Sequence, residues 1–198
     1  LPPMRHNLRL SILDVHHAIL PRTARLKPDS QKLLAASVPI AGDPRLRVLA
    51  PVDMVLHSAT HLFHNEELTQ GLRDLADLDS LLRHFGQDAG FWDELPRRGA
   101  ELDLARPLYL GLRYAARFMG TPVPPAALRG ADLGRPPRWS GRLLDTLYDR
   151  ALPPVSADDV GMLTALSRRA LYVRAHWLRM PPLLLARHLC VKAVRPRK

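Results

Sequence analysis

The sequence has few of the residues that build covalent or membrane-spanning scaffolds. Its 198 residues include one cysteine, Cys190, which excludes an intramolecular disulfide and a zinc site made of several cysteines. No run reaches the roughly 18 apolar residues of a membrane-spanning helix, and the apolar segment at 180–186 is far shorter. Because Arg5, His6 and Arg9 interrupt the opening residues, no signal-peptide core is expected there. These absences are typical of a cytoplasmic protein.

Motifs for common chemistries are missing as well. The sequence contains no glycine-rich phosphate loop, no Ser/His/Asp order signal and no Gly-Ser dipeptide. Cys190 lies in a basic segment, and we expect it to be a small buried apolar residue and not a nucleophile. What remains is a chain with 46% apolar and 24% charged residues, enough to bury a core.

Acidic residues stop at Asp159. The formal net charge is +10, but residues 160–198 carry nine basic residues and no acid, so residues 1–159 contribute only +1. This basic tail (160–198) could bind an anionic partner, either nucleic acid or a membrane surface. Alternatively it forms a terminal helix that packs its leucines on the core and exposes its arginines to water, which is the commoner arrangement.

Apolar periodicity predicts a mostly helical chain. Residues 8–20 read as a strand, residues 45–49 as a second short strand, and a short helix is expected around Ser30–Ala36. Longer helices are predicted at 51–66, 68–85, 90–102, 104–119, 140–150, 158–177 and 182–193. The 19 prolines fall mostly in the connectors. The fold class expected is therefore α+β, a helical bundle preceded by a short N-terminal strand element.

Three regions follow from this pattern. We expect the end of a sheet domain at 1–50, a helical domain at 51–159 and the basic helical tail at 160–198. A single strand is not stable without partners, so the remainder of the sheet is expected upstream of Leu1.

The first candidate site is Asp14 and His16 in the opening strand. Alternation along a strand places both side chains on one face. A carboxylate in an apolar strand is costly to bury unless it meets a metal ion or a cation, so Asp14 is a candidate metal ligand. A strand-edge position facing water would explain it equally well.

The second candidate site is a polar face on the helix at 51–66. At about 100° per residue, Asp53, His57, His61 and His64 fall within a sector roughly 80° wide, opposite the apolar stripe. The spacing of His57 and His61 allows two imidazoles to reach one metal ion, but residue 58 is serine, so the metalloprotease pattern fails. A solvated or cleft-facing surface is the interpretation that this pattern favours.

The third candidate is the acidic group Asp74, Asp77 and Asp79 on the next helix. Asp74 lies at the edge of that helix's apolar face, where it could pair with an arginine or with the histidines of the preceding helix. For all three, structural pairing is the role that we expect.

The order of these segments resembles the later part of a bacterial nucleotidyltransferase family, an uncharacterised branch of the polymerase-β-like superfamily with a helical C-terminal half. The resemblance covers roughly residues 8–124 and is carried by the segments ILDVHHAILP, RVLAPVDMVLHSATHLFH, LRDLADLDSLLRHF and WDELPRRGAELDLARPLYLGLRYAARFMGTPVP. The N-terminal strand element then looks like the remnant of that family's mixed sheet.

The resemblance implies transfer of a nucleotidyl group from a nucleoside triphosphate to an unknown acceptor, with Mg²⁺ or Mn²⁺ as cofactor. Asp14 matches the third metal-binding carboxylate, and His16, His57 and His61 would line the triphosphate or acceptor side. The family's Gly-Ser turn and Asp-x-Asp strand do not precede Asp14, and the helical Asp77-x-Asp79 cannot replace them. We therefore expect a fragment that is inactive alone.

Two alternatives to this function remain open. The first is a non-catalytic helical module that binds an anionic partner through the basic tail. The second is a histidine-ligated metal hydrolase, which the incomplete ligand set disfavours.

Overall fold

The computed structural model describes residues 4–5, 7–9, 11–13, 17–64, 68, 70–153 and 160–194. Its strands are β1 (Met4–Arg5), β2 (Ile12–Leu13), β3 (Val38–Ile40) and β4 (Asp43–Val48). Its α-helices are α1 (Ser30–Ala36), α2 (Pro51–His64), α3 (Gly71–Phe85), α4 (Phe91–Glu101), α5 (Ala105–Tyr114), α6 (Pro125–Gly130), α7 (Arg138–Ala151), α8 (Met162–Arg179) and α9 (Pro182–Val194). The predicted α+β class with a mostly helical body is confirmed.

The strands form two separate antiparallel hairpins. β1 pairs with β2, with Met4 opposite Leu13, and β3 pairs with β4, with Val38 opposite Val48. The strand predicted at 8–20 is much shorter among the described residues, since 7–9 form a turn and 17–20 form bends. β2 thus has a partner within the chain, and β3 is a strand that the sequence pattern did not predict.

The helix boundaries follow local chemistry. The Asp29 carboxylate accepts a hydrogen bond from the amide of Gln31 at 2.8 Å and thereby caps α1. Pro51 occupies the first position of α2, where a proline's missing N–H costs nothing. The predicted helix at 104–119 becomes a π-helical turn from Ala115 to Met119 and ends at Gly120, whose φ of 63° is left-handed.

α3 ends where the predicted helix ended, at Phe85, and is followed by Gly86, whose φ is −67°. A Cβ there would lie 2.6 Å from the Trp92 ring, whose Nε1 donates to the Gly86 carbonyl at 3.0 Å. The close approach of the Leu82 carbonyl oxygen and of Trp92 therefore requires glycine at this position. α6 was missed because its six residues, starting at a proline, are too short for periodicity to show.

The core lies where α2, α3 and α5 meet. The buried face of α2 contains Val52, Val55, Leu56, Ala59, Leu62 and Phe63. On α5, a Cβ at Gly111 would lie 3.1 Å from both Ala59 on α2 and Leu78 on α3. A glycine at the crossing lets the backbone of α5 approach both neighbours closely, so the three helices bury one continuous apolar cluster.

The basic tail begins as a helix that packs on the bundle. α8 contacts α7 and α2, and the Arg174 guanidinium donates to the Phe63 carbonyl at 3.2 Å. One turn further towards the C-terminal end of α8, the Arg25 guanidinium donates to the Trp177 carbonyl at 2.8 Å and stacks over the Trp177 ring. A cation at a helix C-terminus is favourable because the unpaired carbonyls carry negative charge. α8 therefore packs on the bundle with Leu171 buried, as the packed-helix alternative had it, but Arg174 is bonded within the bundle and not exposed to water.

The end of the basic tail forms α9, which carries Cys190. Cys190 is exposed on α9, so the expectation of a buried thiol was wrong: α9 leaves that side of the helix uncovered. None of the helices in the described ranges has the length and apolar character needed to cross a membrane. The division into 1–50, 51–159 and 160–198 stays a prediction.

Candidate functional site

The first predicted pair lies outside the described residues. Asp14 and His16 both fall in the undescribed segment 14–16, directly after β2. Their predicted roles, Asp14 as catalytic metal ligand and His16 near the nucleotide, therefore stay predictions.

The histidine face consists of His57 and His61 on α2. Both side chains are exposed, and their ring centroids are 6.2 Å apart, as expected for positions one helical turn apart. Across the described part of the chain, no group of three or more His, Cys, Asp or Glu side chains is arranged to hold a metal ion. The pair could supply two ligands, but a metal would need further ligands.

Asp53 and His64 do not belong to that exposed face, and their predicted place on it was wrong. Both side chains are buried, because each lies at an end of α2 where another helix covers it. Asp53 meets α4, and His64 lies beside the arginines of α8. A helical-wheel sector does not distinguish the covered ends of a helix from its open middle.

Asp53 forms a bidentate ion pair with Arg98. The guanidinium Nε and Nη2 donate to the two carboxylate oxygens at 2.8 and 2.9 Å. Arg98 also donates to the Lys32 carbonyl at 3.0 Å and to Glu101 at 2.9 Å. The hydrogen bond to Asp53 is the main cause that raises the pKa of Arg98 above its ordinary value. Four of the five N–H donors of Arg98 are used inside the protein, so this pair is structural.

His64, at the other end of α2, is kept neutral by its surroundings. Its pKa is lowered to about 4, mainly because the imidazole is buried, then because of the positive charge of Arg174, with Arg179 contributing less. A neutral imidazole between α2 and α8 avoids placing a third positive charge beside these two arginines.

The acidic group of α3 has three different surroundings, and the pairing expected for Asp77 is not found among the described residues, where its side chain is exposed. Asp79 accepts from Arg83 Nε at 2.8 Å and from the Thr121 hydroxyl at 2.6 Å, so its predicted structural pairing is observed. Asp74 is half-buried, and burial is the main cause that raises its pKa, while the charge of His61 opposes the shift. Asp74 thus lies near the histidine face, as one of the two predicted alternatives had it.

A second polar site lies between α5 and α7 and was missed from the sequence. It is a half-open cavity of about 240 Å³. Its lining residues are Tyr109, Leu110, Arg113, Tyr114, Arg135, Pro136, Arg138, Gly141, Arg142, Leu144 and Asp145. We call it the arginine pocket, after Arg113, Arg135, Arg138 and Arg142. The four-residue spacing of Arg138 and Arg142 on one helix was the available signal.

One carboxylate faces these arginines. Asp145 accepts from Arg113 Nε at 3.0 Å and from its Nη2 at 2.6 Å, and the Tyr114 hydroxyl donates to it at 3.2 Å. The hydrogen bonds from Arg113 are the main cause that lowers the pKa of Asp145. Burial, with smaller contributions from neighbouring groups, raises the pKa of Tyr114, so its hydroxyl stays protonated as a donor.

Comparison with known proteins gives one match. A family model described as an uncharacterised nucleotidyltransferase covers residues 3–120, more than half of the 198-residue chain. The matched range includes Asp14 and the histidine face, whereas α7, α8 and most of the arginine pocket lie beyond it. Searches of curated proteins and of solved structures return no match.

Proposed function

The chain belongs to an uncharacterised nucleotidyltransferase family, and on this basis we propose that it takes part in metal-dependent transfer of a nucleotidyl group from a nucleoside triphosphate. The acceptor is a hydroxyl or phosphate group of a molecule still to be identified. The observation that carries this proposal is the family match across residues 3–120, which includes Asp14 and the exposed histidines of α2.

Asp14 is the residue proposed to ligate the Mg²⁺ or Mn²⁺ ion, since carboxylate oxygens are the ligands these ions prefer. When bound, such an ion would neutralise charge on the reacting phosphates. The described residues alone do not form a complete site for it, because no three ligating side chains converge there. We therefore assign no step of the reaction to the ion.

His16 and the histidine face are proposed to line the triphosphate or acceptor side. Support comes from the exposure of His57 and His61 on one side of α2 and from Asp74 beside them. Imidazole groups near neutral pH can donate hydrogen bonds to phosphate oxygens or relay a proton from an acceptor hydroxyl.

The test is nucleotidyl transfer by the native full-length protein, followed with a triphosphate labelled at the α-phosphate. We expect Asp14→Asn to lower transfer by at least a hundredfold, because one ligand of the metal is lost. The variant His57→Gln/His61→Gln should raise KM or lower kcat by about tenfold.

Asp77→Asn is the matched control, since it removes an exposed carboxylate from α3. It should leave transfer unchanged. Full activity of Asp14→Asn, or full activity after chelation of divalent ions, would contradict the proposal.

The basic tail supports a second candidate, a module that binds an anionic partner such as nucleic acid or a membrane surface. Arg169 and Arg187 are exposed on α8 and α9, although Arg174 is committed to the bundle. Binding of this kind would weaken steeply with salt and would not change in Asp14→Asn.

A further inference from the structure

The arginine pocket contains more positive charge than its own residues neutralise. Arg113 is paired with Asp145 at 2.6 Å, which accounts for the one carboxylate in the lining. For Arg138 and Arg142, the described ranges contain neither an ion-pair partner nor a hydrogen-bond acceptor. Two guanidinium groups on one face of α7 thus border the cavity without a counter-charge.

The fourth arginine adds to this excess. Arg135 lies 3.9 Å from Asp132, but both side chains are about half exposed, and such a pair contributes little in water. Among the lining residues themselves, four arginines face one aspartate, an excess of three positive charges. Like charges gathered around one cavity repel each other, so an anion in the cavity would relieve an existing cost.

The surroundings of the cavity strengthen its attraction for an anion. Its inner wall includes the buried side chains of Tyr109, Tyr114 and Leu144, which exclude water on that side. Electrostatic interactions gain strength where water is excluded. α7 also begins at Arg138, so the positive end of its dipole lies at the rim with the arginines.

We propose that the arginine pocket binds a phosphate group of a small phosphorylated ligand. A guanidinium group presents a planar pair of donors that matches phosphate oxygens, and phosphate carries more than one negative charge to meet several arginines. A cavity of about 240 Å³ has room for a phosphoryl group and the atoms attached to it.

This site goes beyond the proposed transfer reaction. Arg135, Arg138 and Arg142 all lie outside the matched range 3–120 and on different elements from Asp14 and the histidine face. The same chemistry could come from two sources, the polyphosphate of a nucleoside triphosphate or the phosphate of a phosphomonoester, and these can be separated by experiment.

The test is calorimetric titration of the full chain, free of divalent ions, with phosphate, pyrophosphate, glycerol phosphate and a nucleoside triphosphate. The variant Arg138→Gln/Arg142→Gln should weaken binding of the tightest probe by at least tenfold. Both residues are exposed, and their side chains have no hydrogen bond or ion pair with the described residues that would be lost, so the fold should persist.

The matched control is Arg97→Gln/Arg150→Gln. It removes the same charge from exposed positions on α4 and α7 that do not line the cavity and do not belong to the basic tail. The affinity of this control for the tightest-binding probe should stay within twofold of the affinity of the unmodified chain. Tightest binding of the triphosphate supports the proposal and assigns the nucleotide as source, whereas tightest binding of glycerol phosphate supports it and assigns a phosphomonoester.

Three results would overturn the proposal: no binding of any phosphate probe at about 10 mM, equal weakening in both double variants, or malonate binding as tightly as phosphate. Because no metal and no transfer step enter this measurement, its failure leaves the role proposed for Asp14 untouched. Conversely, a loss of nucleotidyl transfer in the variant Asp14→Asn would not alter the phosphate binding measured here.

Discussion

Two helix contacts in this protein are built around the same chemistry, an arginine paired bidentately with an aspartate. Between α2 and α4, the side chains of Asp53 and Arg98 are 0% and 12% exposed. Between α5 and α7, those of Asp145 and Arg113 are 19% and 37% exposed and border an open cavity. The first pair is enclosed, whereas the second lies among further arginines, of which Arg138 and Arg142 have no ion-pair partner among the described residues.

The difference shows how surroundings decide what an ion pair does. Arg98 also donates to the Lys32 carbonyl and to Glu101, so four of its five N–H donors are used within the protein. Arg113 uses two donors on Asp145 and stands in a lining with excess positive charge. The enclosed pair should therefore matter for stability, and the open pair for binding.

The largest effect that would sharpen this contrast is expected for Asp53→Asn. The substitution keeps the shape but leaves the largely buried Arg98 without its main partner, so stability should fall by about 3–5 kcal/mol. In a chain of this size that corresponds to a Tm lower by roughly 10 °C. Urea unfolding followed by circular dichroism measures it, with Asp77→Asn as an exposed control. A loss no larger than that of Asp77→Asn would break the distinction between the two contacts.

A second effect comes from His64, at the opposite end of α2 from Asp53. Its folded-state pKa is about 4 against an ordinary 6.5, so between these values the unfolded chain binds a proton that the folded chain does not. Stability should be unaffected by this group above pH 6.5 and should fall as the pH drops towards 4, by about 3 kcal/mol in total.

The measurement is the free energy of unfolding of the unmodified chain and of His64→Leu at pH 7, 5.5 and 4. The variant should lose less stability on acidification, because leucine cannot take up a proton. His84→Gln, an exposed histidine on α3, should keep the slope of the unmodified chain. Identical slopes for all three proteins would show that His64 is not held neutral by its surroundings.

The smallest effect is expected at the open pair. A double-mutant cycle with Arg113→Gln and Asp145→Asn should give a coupling energy of about 1 kcal/mol or less, since water screens partly exposed charges. The same cycle at Asp53 and Arg98 should give a clearly larger value. Equal coupling energies in the two cycles would remove the basis for assigning one pair to stability and the other to binding.

Local signals accounted for much of the fold. Apolar periodicity located α2, α3, α4, α7 and α9 to within a few residues, because their buried faces repeat at the helical period. It overextended the first strand, because an apolar run does not show where a turn such as 7–9 interrupts it. It also missed α6, which has too few residues to show a period.

The candidate sites also include residues that could be placed from the sequence and residues that could not. Helical spacing was enough to predict that His57 and His61 lie together on an open face, since one helix carries both. It failed for Asp53 and His64, whose burial depends on α4 and α8. No sequence pattern joined Arg113 on α5 to Arg138 and Arg142 on α7, because about 25 residues separate them along the chain.

Three properties could be predicted from the sequence alone, because they depend on local composition and order: the helical character of the chain, the basic excess of residues 160–198 and the resemblance to a nucleotidyltransferase family. The tertiary structure alone decided which charges are enclosed and which remain open. The reason is that the burial of a charge, and its pairing with an opposite charge, depend on which helices meet at the residue. α4 encloses Asp53 with Arg98, whereas α7 brings Arg138 and Arg142 to Arg113 without an equal number of carboxylates.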